Sequence, residues 1–270
     1  MQATSTGPNL TGSAVSPKGC KAMLKAVQEI NVPGPIDTSA QMEQRILYID
    51  EAESVGSIPP PSSMLDAIKT SMSKLMGSAD PSMFMDKIGE RIAFERSGTR
   101  LYDALITKYM ALSQQGSKLL PSVKELVESK NEDSVLVLLA GDETALETLT
   151  RIRFEELSHF KMLCEAMEKL GGDPTAQTPC ADVTATASMG LIQVVTDPRT
   201  TLAQSLNAMV AAELIDTAGW ELLATLADEA DEPELTGQFL AALSQEQQHL
   251  ATVKGWLSVL VSERVGSVAV

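Results

Sequence analysis

Aromatic residues are scarce in this chain: Phe, Trp and Tyr together make up 4% of it. Strands favour aromatic and β-branched side chains, so the shortage argues against a β-sandwich or barrel. Cysteine is scarcer still. Cys20, Cys164 and Cys180 lie far apart and form no Cys-x-x-Cys pair. That excludes a zinc knuckle or a rubredoxin-type iron site. A sparse, odd count fits a reducing compartment, so a cytoplasmic location is expected. Basic charge is also short, with 21 Lys and Arg against 36 Asp and Glu and a formal net charge of −15. An acidic chain repels phosphate backbones, so no nucleic-acid partner is expected. It also raises the local concentration of cations. No apolar run reaches the roughly 18 residues of a membrane span. The stretch MQATSTGPNLTGSAVSPKG has no apolar segment of the signal-peptide kind.

What the chain does have is hydrophobic residues at 44%, chiefly Leu, Ala, Met and Ile. That composition favours helices. Residues 1–17, rich in Ser, Thr, Gly and Pro, read as a flexible arm. Helices are expected over 18–31, stopped by Pro33-Gly34-Pro35, and over 37–54. Another runs from Ser62 or Ser63 to about Met76. Residues 1–78 thus form an arm and helical extension.

Residues 79–265 read differently. A long helix is expected from Asp80-Pro81 to about Gln115, with the aspartate as cap and the proline at the first helical position. A second covers about 142–170 and ends at Gly171-Gly172-Asp173-Pro174. A third covers about 200–229, and Glu232-Pro233 opens a fourth, to about Glu263. Four helices of roughly 30 residues would each span about 45 Å. That is the anatomy of a four-helix bundle. The stretch 173–198, with an apolar piece from Met189 to Val195, reads as a connection long enough to cross from one end of the bundle to the other. Residues 121–141 read as a connection with some helical character, broken near Asn131.

The chain's two histidines carry the strongest signal. Each has a glutamate three residues before it: Glu156-Leu157-Ser158-His159 and Glu246-Gln247-Gln248-His249. Helical residues three apart share a face, so each pair aims a carboxylate and an imidazole at one point. Both pairs sit in apolar stripes, Leu149–Ile152–Glu156–His159–Leu163 and Phe239–Ala242–Glu246–His249–Val253. A glutamate inside such a stripe is costly unless it meets a counter-charge, which a divalent metal supplies. The other two long helices each place one carboxylate inward. On the first, Glu95 lies on the stripe and Glu90 falls off it. On the third, Glu213 lies inward and Glu221 faces out. Four glutamates can bridge two metals, and imidazole favours iron over calcium or magnesium. Remaining open positions would receive O2 or peroxide.

On these residues the chain resembles the ferritin-like di-iron carboxylate superfamily over about 82–262, most closely its bacterioferritin and rubrerythrin type. The resemblance implies an all-α fold, a ferritin-like four-helix bundle with one long crossover, preceded here by the 1–78 extension. It implies two Fe ions, with Mn an acceptable substitute, held by Glu95, Glu156, His159, Glu213, Glu246 and His249. Against that family the link between Glu95 and Glu156 is long, so about 112–141 stands as an insertion. Tyr102 matches a tyrosine that bonds a carboxylate across the bundle. Asp216 matches a position that supplies an extra carboxylate in rubrerythrins, although its side chain is shorter. Glu155 and Gln245 stand where the family often has an aspartate behind each histidine. No rubredoxin domain is present, so electrons would come from a separate donor protein. The function implied is a di-iron or di-manganese oxidoreductase acting on O2 or hydrogen peroxide. The alternatives are a ferroxidase of the iron-storage kind, which would be a homo-oligomer, and a metal-stabilised structural or assembly protein.

Overall fold

The computed structural model describes residues 16–30, 37–52, 81–114, 120–128, 135–136 and 141–268. Among them no strand occurs, and the fold is all-α. The helices are α1 (Pro17–Ile30), α2 (Ser39–Glu51), α3 (Pro81–Ser113), α4 (Val123–Glu128), α5 (Ala145–Lys169), α6 (Pro179–Thr196), α7 (Leu202–Glu229) and α8 (Pro233–Val268). Helices α1, α2, α3, α5, α7 and α8 match the expected ones to about one turn at each end. The 1–15 arm, the helix to Met76, the Asp80 cap and the break near Asn131 lie outside the described residues. No helix is long and apolar enough to cross a membrane among the described residues.

The chain divides into two compact units, Met1–Val55 with Ser267–Val270, and Gly56–Gly266. The first holds α1 and α2, neither of which buries a residue. Its α1 is amphipathic: Leu24, Val27 and Ile30 are exposed on one side, and Lys18, Lys21 and Lys25 fall opposite at helical spacing.

The second unit holds the long helices, and local chemistry sets their ends. Thr144 and Glu147 form a reciprocal capping box at the start of α5, and Thr201 and Gln204 form one at the start of α7. Helix α5 stops where Gly171 takes φ 81°, a left-handed conformation that glycine tolerates best. Between α7 and α8 the same left-handed step falls on Asp231, φ 56°, directly before the Glu232-Pro233 restart. The 173–198 connection, with its apolar piece from Met189 to Val195, is mostly helical. Eighteen of its residues form α6, because Thr178 caps the helix and Pro179 takes its first position.

Contacts between helices set their directions. Glu95 meets Trp220 and Tyr102 meets Glu213, so α3 and α7 run antiparallel. Glu155 meets His249 and His159 meets Gln245, so α5 and α8 are also antiparallel. Gly98 abuts Glu156 and Asp103 pairs with Arg153, which opposes α3 to α5. At the start of α6, Thr178 Oγ1 donates to Asp86 O; beyond its end, Lys108 Nζ donates to the Asp197 and Thr200 carbonyls. Helix α6 therefore runs alongside α3 and returns the chain between the parallel helices α5 and α7.

The core comes in two apolar layers. One contains Leu101, Leu105, Leu149, Leu206, Met209 and Trp256. The other contains Phe84, Ile88, Leu163, Trp220, Leu223 and Phe239. On α5, α7 and α8 the buried Glu, Asp and His residues fall between the segments that build these layers; on α3, Glu95 adjoins their boundary. The 120–136 region also contributes: Leu120, Leu126 and Leu136 are buried, and Trp256 Nε1 donates to Pro121 O at 2.8 Å.

Candidate metal centre

Four helices deliver the polar layer. Helix α3 contributes Arg91, Glu95 and Tyr102; α5 contributes Glu156 and His159; α7 contributes Glu213 and Asp216; α8 contributes Glu246 and His249. None of these residues is more than 3% exposed. All six ligands expected from the sequence are brought together, and Tyr102 joins them. Three donor groups emerge among the described residues, two of them containing histidine. Glu156, Glu213, Glu246 and His249 each place a ligand atom within 4.8 Å of one another, as do Glu95, His159 and Glu246. Glu246 belongs to both.

The histidines show how the site is oriented. His249 Nε2 lies 2.8 Å from Glu155 Oε2. A carboxylate only accepts, so the ring's Nε2 carries the proton. His159 Nε2 lies 2.8 Å from Gln245 Oε1 in the matching arrangement. Each histidine is thus held from behind by the residue preceding the other helix's motif glutamate. In each ring Nδ1 is the nitrogen turned to the centre. His159 Nδ1 approaches Glu246 Oε1 to 2.7 Å, and His249 Nδ1 approaches Glu246 Oε2 to 3.0 Å. His249 is backed by a carboxylate that Arg151 also pairs at 2.9 Å, whereas His159 is backed by a neutral amide.

Glu213 and Glu95 are held in a reciprocal scheme. Tyr102 on α3 donates to Glu213 Oε1 on α7 at 2.6 Å, and Trp220 on α7 donates to Glu95 Oε1 on α3 at 2.9 Å. The second oxygen of each turns inward: Glu213 Oε2 lies 3.9 Å from His249 Nδ1, and Glu95 Oε2 lies 3.7 Å from His159 Nδ1.

These inward atoms provide the test of whether a metal pair suits the site. Glu95 Oε2, Glu156 Oε2, His159 Nδ1, Glu213 Oε2 and Glu246 Oε1 are buried and have no hydrogen-bond partner. With Arg91 Nε, Arg91 Nη2 and Asp216 Oδ1, which lack hydrogen-bond geometry in the same layer, these orphans are costly, since buried polar atoms are nearly always satisfied. The 2.7 Å approach of His159 Nδ1 to Glu246 Oε1 lacks hydrogen-bond geometry, as expected of two lone pairs converging on a third atom. Charge leads to the same conclusion. Five buried carboxylates, Glu95, Glu156, Glu213, Asp216 and Glu246, face one buried guanidinium, Arg91. The balance is four negative charges, which two divalent cations neutralise. The residues fit the metal pair.

Without metal, protons must supply that balance. Burial, reinforced by Glu246, pushes the Glu156 carboxyl up to about 8. Burial and the neighbouring Glu156 and Glu246 hold Glu213 well above the ordinary carboxylate range. Burial opposes charge on His159, but Glu246 and Glu95 outweigh it and raise the imidazole to about 10. Burial likewise opposes charge on Glu246, and His249 and His159 outweigh it and hold that carboxyl well below its ordinary value. Burial and Glu213 raise the Tyr102 phenol, so it stays a donor.

Several residues of the site were not singled out by sequence. Arg91 is fully buried and binds Asp216, with Nη2 2.7 Å from Oδ1. Asp216 is therefore buried and ion-paired, and one of its oxygens also lies within 4.8 Å of Glu95 and Glu156. Trp220 reads as apolar filling, yet its N–H holds a ligand. Gly98 and Gly219 leave room for side chains: a Cβ at 98 would strike the Glu156 carboxylate, and one at 219 would strike the Arg91 guanidinium. The available signal was glycine inside long helices, where it costs about 1 kcal/mol against alanine. Gly98→Ala inverts that sign. It is expected to destabilise the protein by about 1–3 kcal/mol through overpacking and to weaken metal binding. Thermal melts with and without Mn(II) measure both, and a raised melting temperature would contradict the close approach of Glu156. Glu90 pairs with Lys87, and Glu221 is exposed, so both stand outside the cluster.

No protein-family model, curated protein or solved structure matches the chain.

Proposed function

We propose that residues 79–265 are a ferritin-like four-helix bundle binding two iron or manganese ions, and that the protein is an oxidoreductase acting on O2 or hydrogen peroxide. One observation carries the reading: the outward Nε2 of each histidine and the outer oxygens of Glu95 and Glu213 are partnered, while five inward ligand atoms are orphaned and His249 Nδ1 and Glu246 Oε2 pair with each other. Such a shell is pre-organised for metal and unfavourable without it. The helix directions and the α6 return suit the single crossover of ferritin-like bundles. The 1–78 extension and the 112–141 insertion suit a compact shell-forming storage subunit less well.

In this reading Glu95, Glu156, Glu213 and Glu246 would hold the ions through carboxylate oxygens, and His159 and His249 through Nδ1. The two ions would supply electrons and polarise the bound oxygen reactant. Protein groups do the rest. Tyr102 keeps its proton on Oη, against Glu213 Oε1, where it steadies that carboxylate and can deliver a proton. Trp220 has no proton to lend at neutral pH and only orients Glu95. The apolar layers keep bulk water out. Burial of every ligand limits the reactant to a small molecule such as O2 or peroxide, and reducing electrons come from a separate donor protein.

The test is anaerobic Fe(II) titration of metal-free protein, followed by peroxide. Two ions per chain and rapid peroxide loss, without mineral growth, are expected. Binding of many ions per chain within a large shell would replace this reading with iron storage. Tight metal with no reaction toward either oxidant would leave a structural role, and no metal binding would refute the site.

A further inference from the structure

Resting on the two-metal reading, the next inference concerns how the two positions differ. On α3, Arg91 lies one turn before Glu95, and its side chain runs through the core. Its Nη2 is 2.7 Å from Asp216 Oδ1 and 3.8 Å from Glu95 Oε1. Its Cζ stacks 4.3 Å from the centre of the Phe94 ring. Gly219 leaves the space its Nη1 fills. A fully buried cation, stacked on one side and ion-paired on the other, is fixed in place.

Its position is not symmetric. One donor group offers three carboxylates and a histidine, Glu156, Glu213, Glu246 and His249; the other offers two carboxylates and a histidine, Glu95, Glu246 and His159. Arg91 stands beside the Glu95 group and adds a positive charge there. A third set of carboxylates, Glu95, Glu156 and Asp216, also converges within 4.8 Å. With Asp216 engaged to Arg91, that set is one ligand short. The backing residues lean the same way. His249 has the anionic Glu155 behind it and His159 the neutral Gln245. Second-shell partners of this kind change metal affinity by about 10–100-fold.

We propose that Arg91 is a positioning residue that makes the two metal positions unequal: it engages Asp216, which otherwise converges with Glu95 and Glu156, and places a fixed positive charge beside Glu95. The Glu156–Glu213–Glu246–His249 position therefore fills first. The Glu95–His159–Glu246 position fills second, more weakly, and exchanges its ion more readily.

The experiment is titration of the full-length, metal-free protein with Co(II), read by visible absorption and by equilibrium dialysis. The wild type is expected to bind in two steps whose Kd values differ by about tenfold or more. Arg91→Gln removes the charge and frees Asp216, so its second step should tighten at least about tenfold and merge with the first. Arg91→Gln with Asp216→Asn removes the charge but supplies no new ligand, and its second step should fall between the two. Arg91→Lys keeps a cation and should keep two resolved steps. Circular dichroism melts establish that each variant is folded. Should Arg91→Gln misfold, the double variant, which leaves no unpaired buried charge, decides the matter. The proposal is overturned if the wild type fills both positions in a single step, or if folded variants lacking Arg91 keep wild-type spacing between steps. If the wild type binds no Co(II), the two-metal reading itself has failed.

Discussion

Glu246→Ala is expected to empty both metal positions, not one. Glu246 is the only residue in both main donor groups, and its two oxygens are divided between them. Oε1 faces His159 Nδ1 at 2.7 Å, and Oε2 faces His249 Nδ1 at 3.0 Å. Removing it leaves one group with Glu95 and His159 alone and takes the bridging carboxylate from the other. Metal content should fall from about two ions per chain to nearly none after dialysis, an affinity loss beyond the roughly 100-fold of a second-shell change. Stability reads the same event independently. An ion held at a thousandfold excess over its Kd adds about 4 kcal/mol to the folded state. Addition of Mn(II) should therefore raise the melting temperature of the wild type and leave that of Glu246→Ala unmoved. Glu95→Ala is the control, since Glu95 belongs to only one of the two main groups, and it should lose a single ion. A Glu246→Ala protein that keeps one tightly bound ion would show that the two groups do not share this carboxylate.

The second large effect is an inverted pH dependence in the metal-free protein. Glu156 has a folded pKa of about 8 against an ordinary 4.5. A raised pKa contributes stability that is complete below the ordinary value and disappears as pH rises through the folded one. His159, raised from 6.5 to about 10, acts in the same direction over a higher range. Glu246 opposes them on the acid side, because its pKa is lowered from 4.5 and its contribution disappears as pH falls. The metal-free protein should thus be most stable at about pH 4–5 and lose on the order of 5 kcal/mol or more by about pH 9. On the two-metal reading, metal would take the place of the protons. Binding should release them, strengthen with pH and remove the alkaline loss. Urea melts of chelator-treated and Mn(II)-loaded protein across that range measure the effect. Stability of the metal-free protein that rises from pH 6 to 9 would refute the proton-balanced site.

Much of this was visible in the sequence. Glu156–His159 and Glu246–His249 are pairs three residues apart, and a helix alone determines that such residues share a face. The same periodicity separated Glu95 from Glu90 and Glu213 from Glu221. Long helices and their stops were legible because caps, Gly-Gly and Pro punctuation act within a few residues. Helix α6 was missed as an element because its Thr178-Pro179 start was absorbed into a stretch read as a link.

What sequence determined by itself is therefore local: which segments are helical, and which carboxylates and imidazoles lie on their inward faces. The tertiary structure decided everything that depends on how one helix is rotated and shifted against another. That includes Glu155 backing His249 and Gln245 backing His159, each across to the opposite helix. It includes Trp220 holding Glu95, Arg91 engaging Asp216, and the spaces left by Gly98 and Gly219. The physical reason is one of range. Periodicity repeats every few residues along one chain segment, whereas these contacts join residues about 60 to 130 positions apart, and their partners are chosen by the packing of two apolar cores above and below a single buried polar layer.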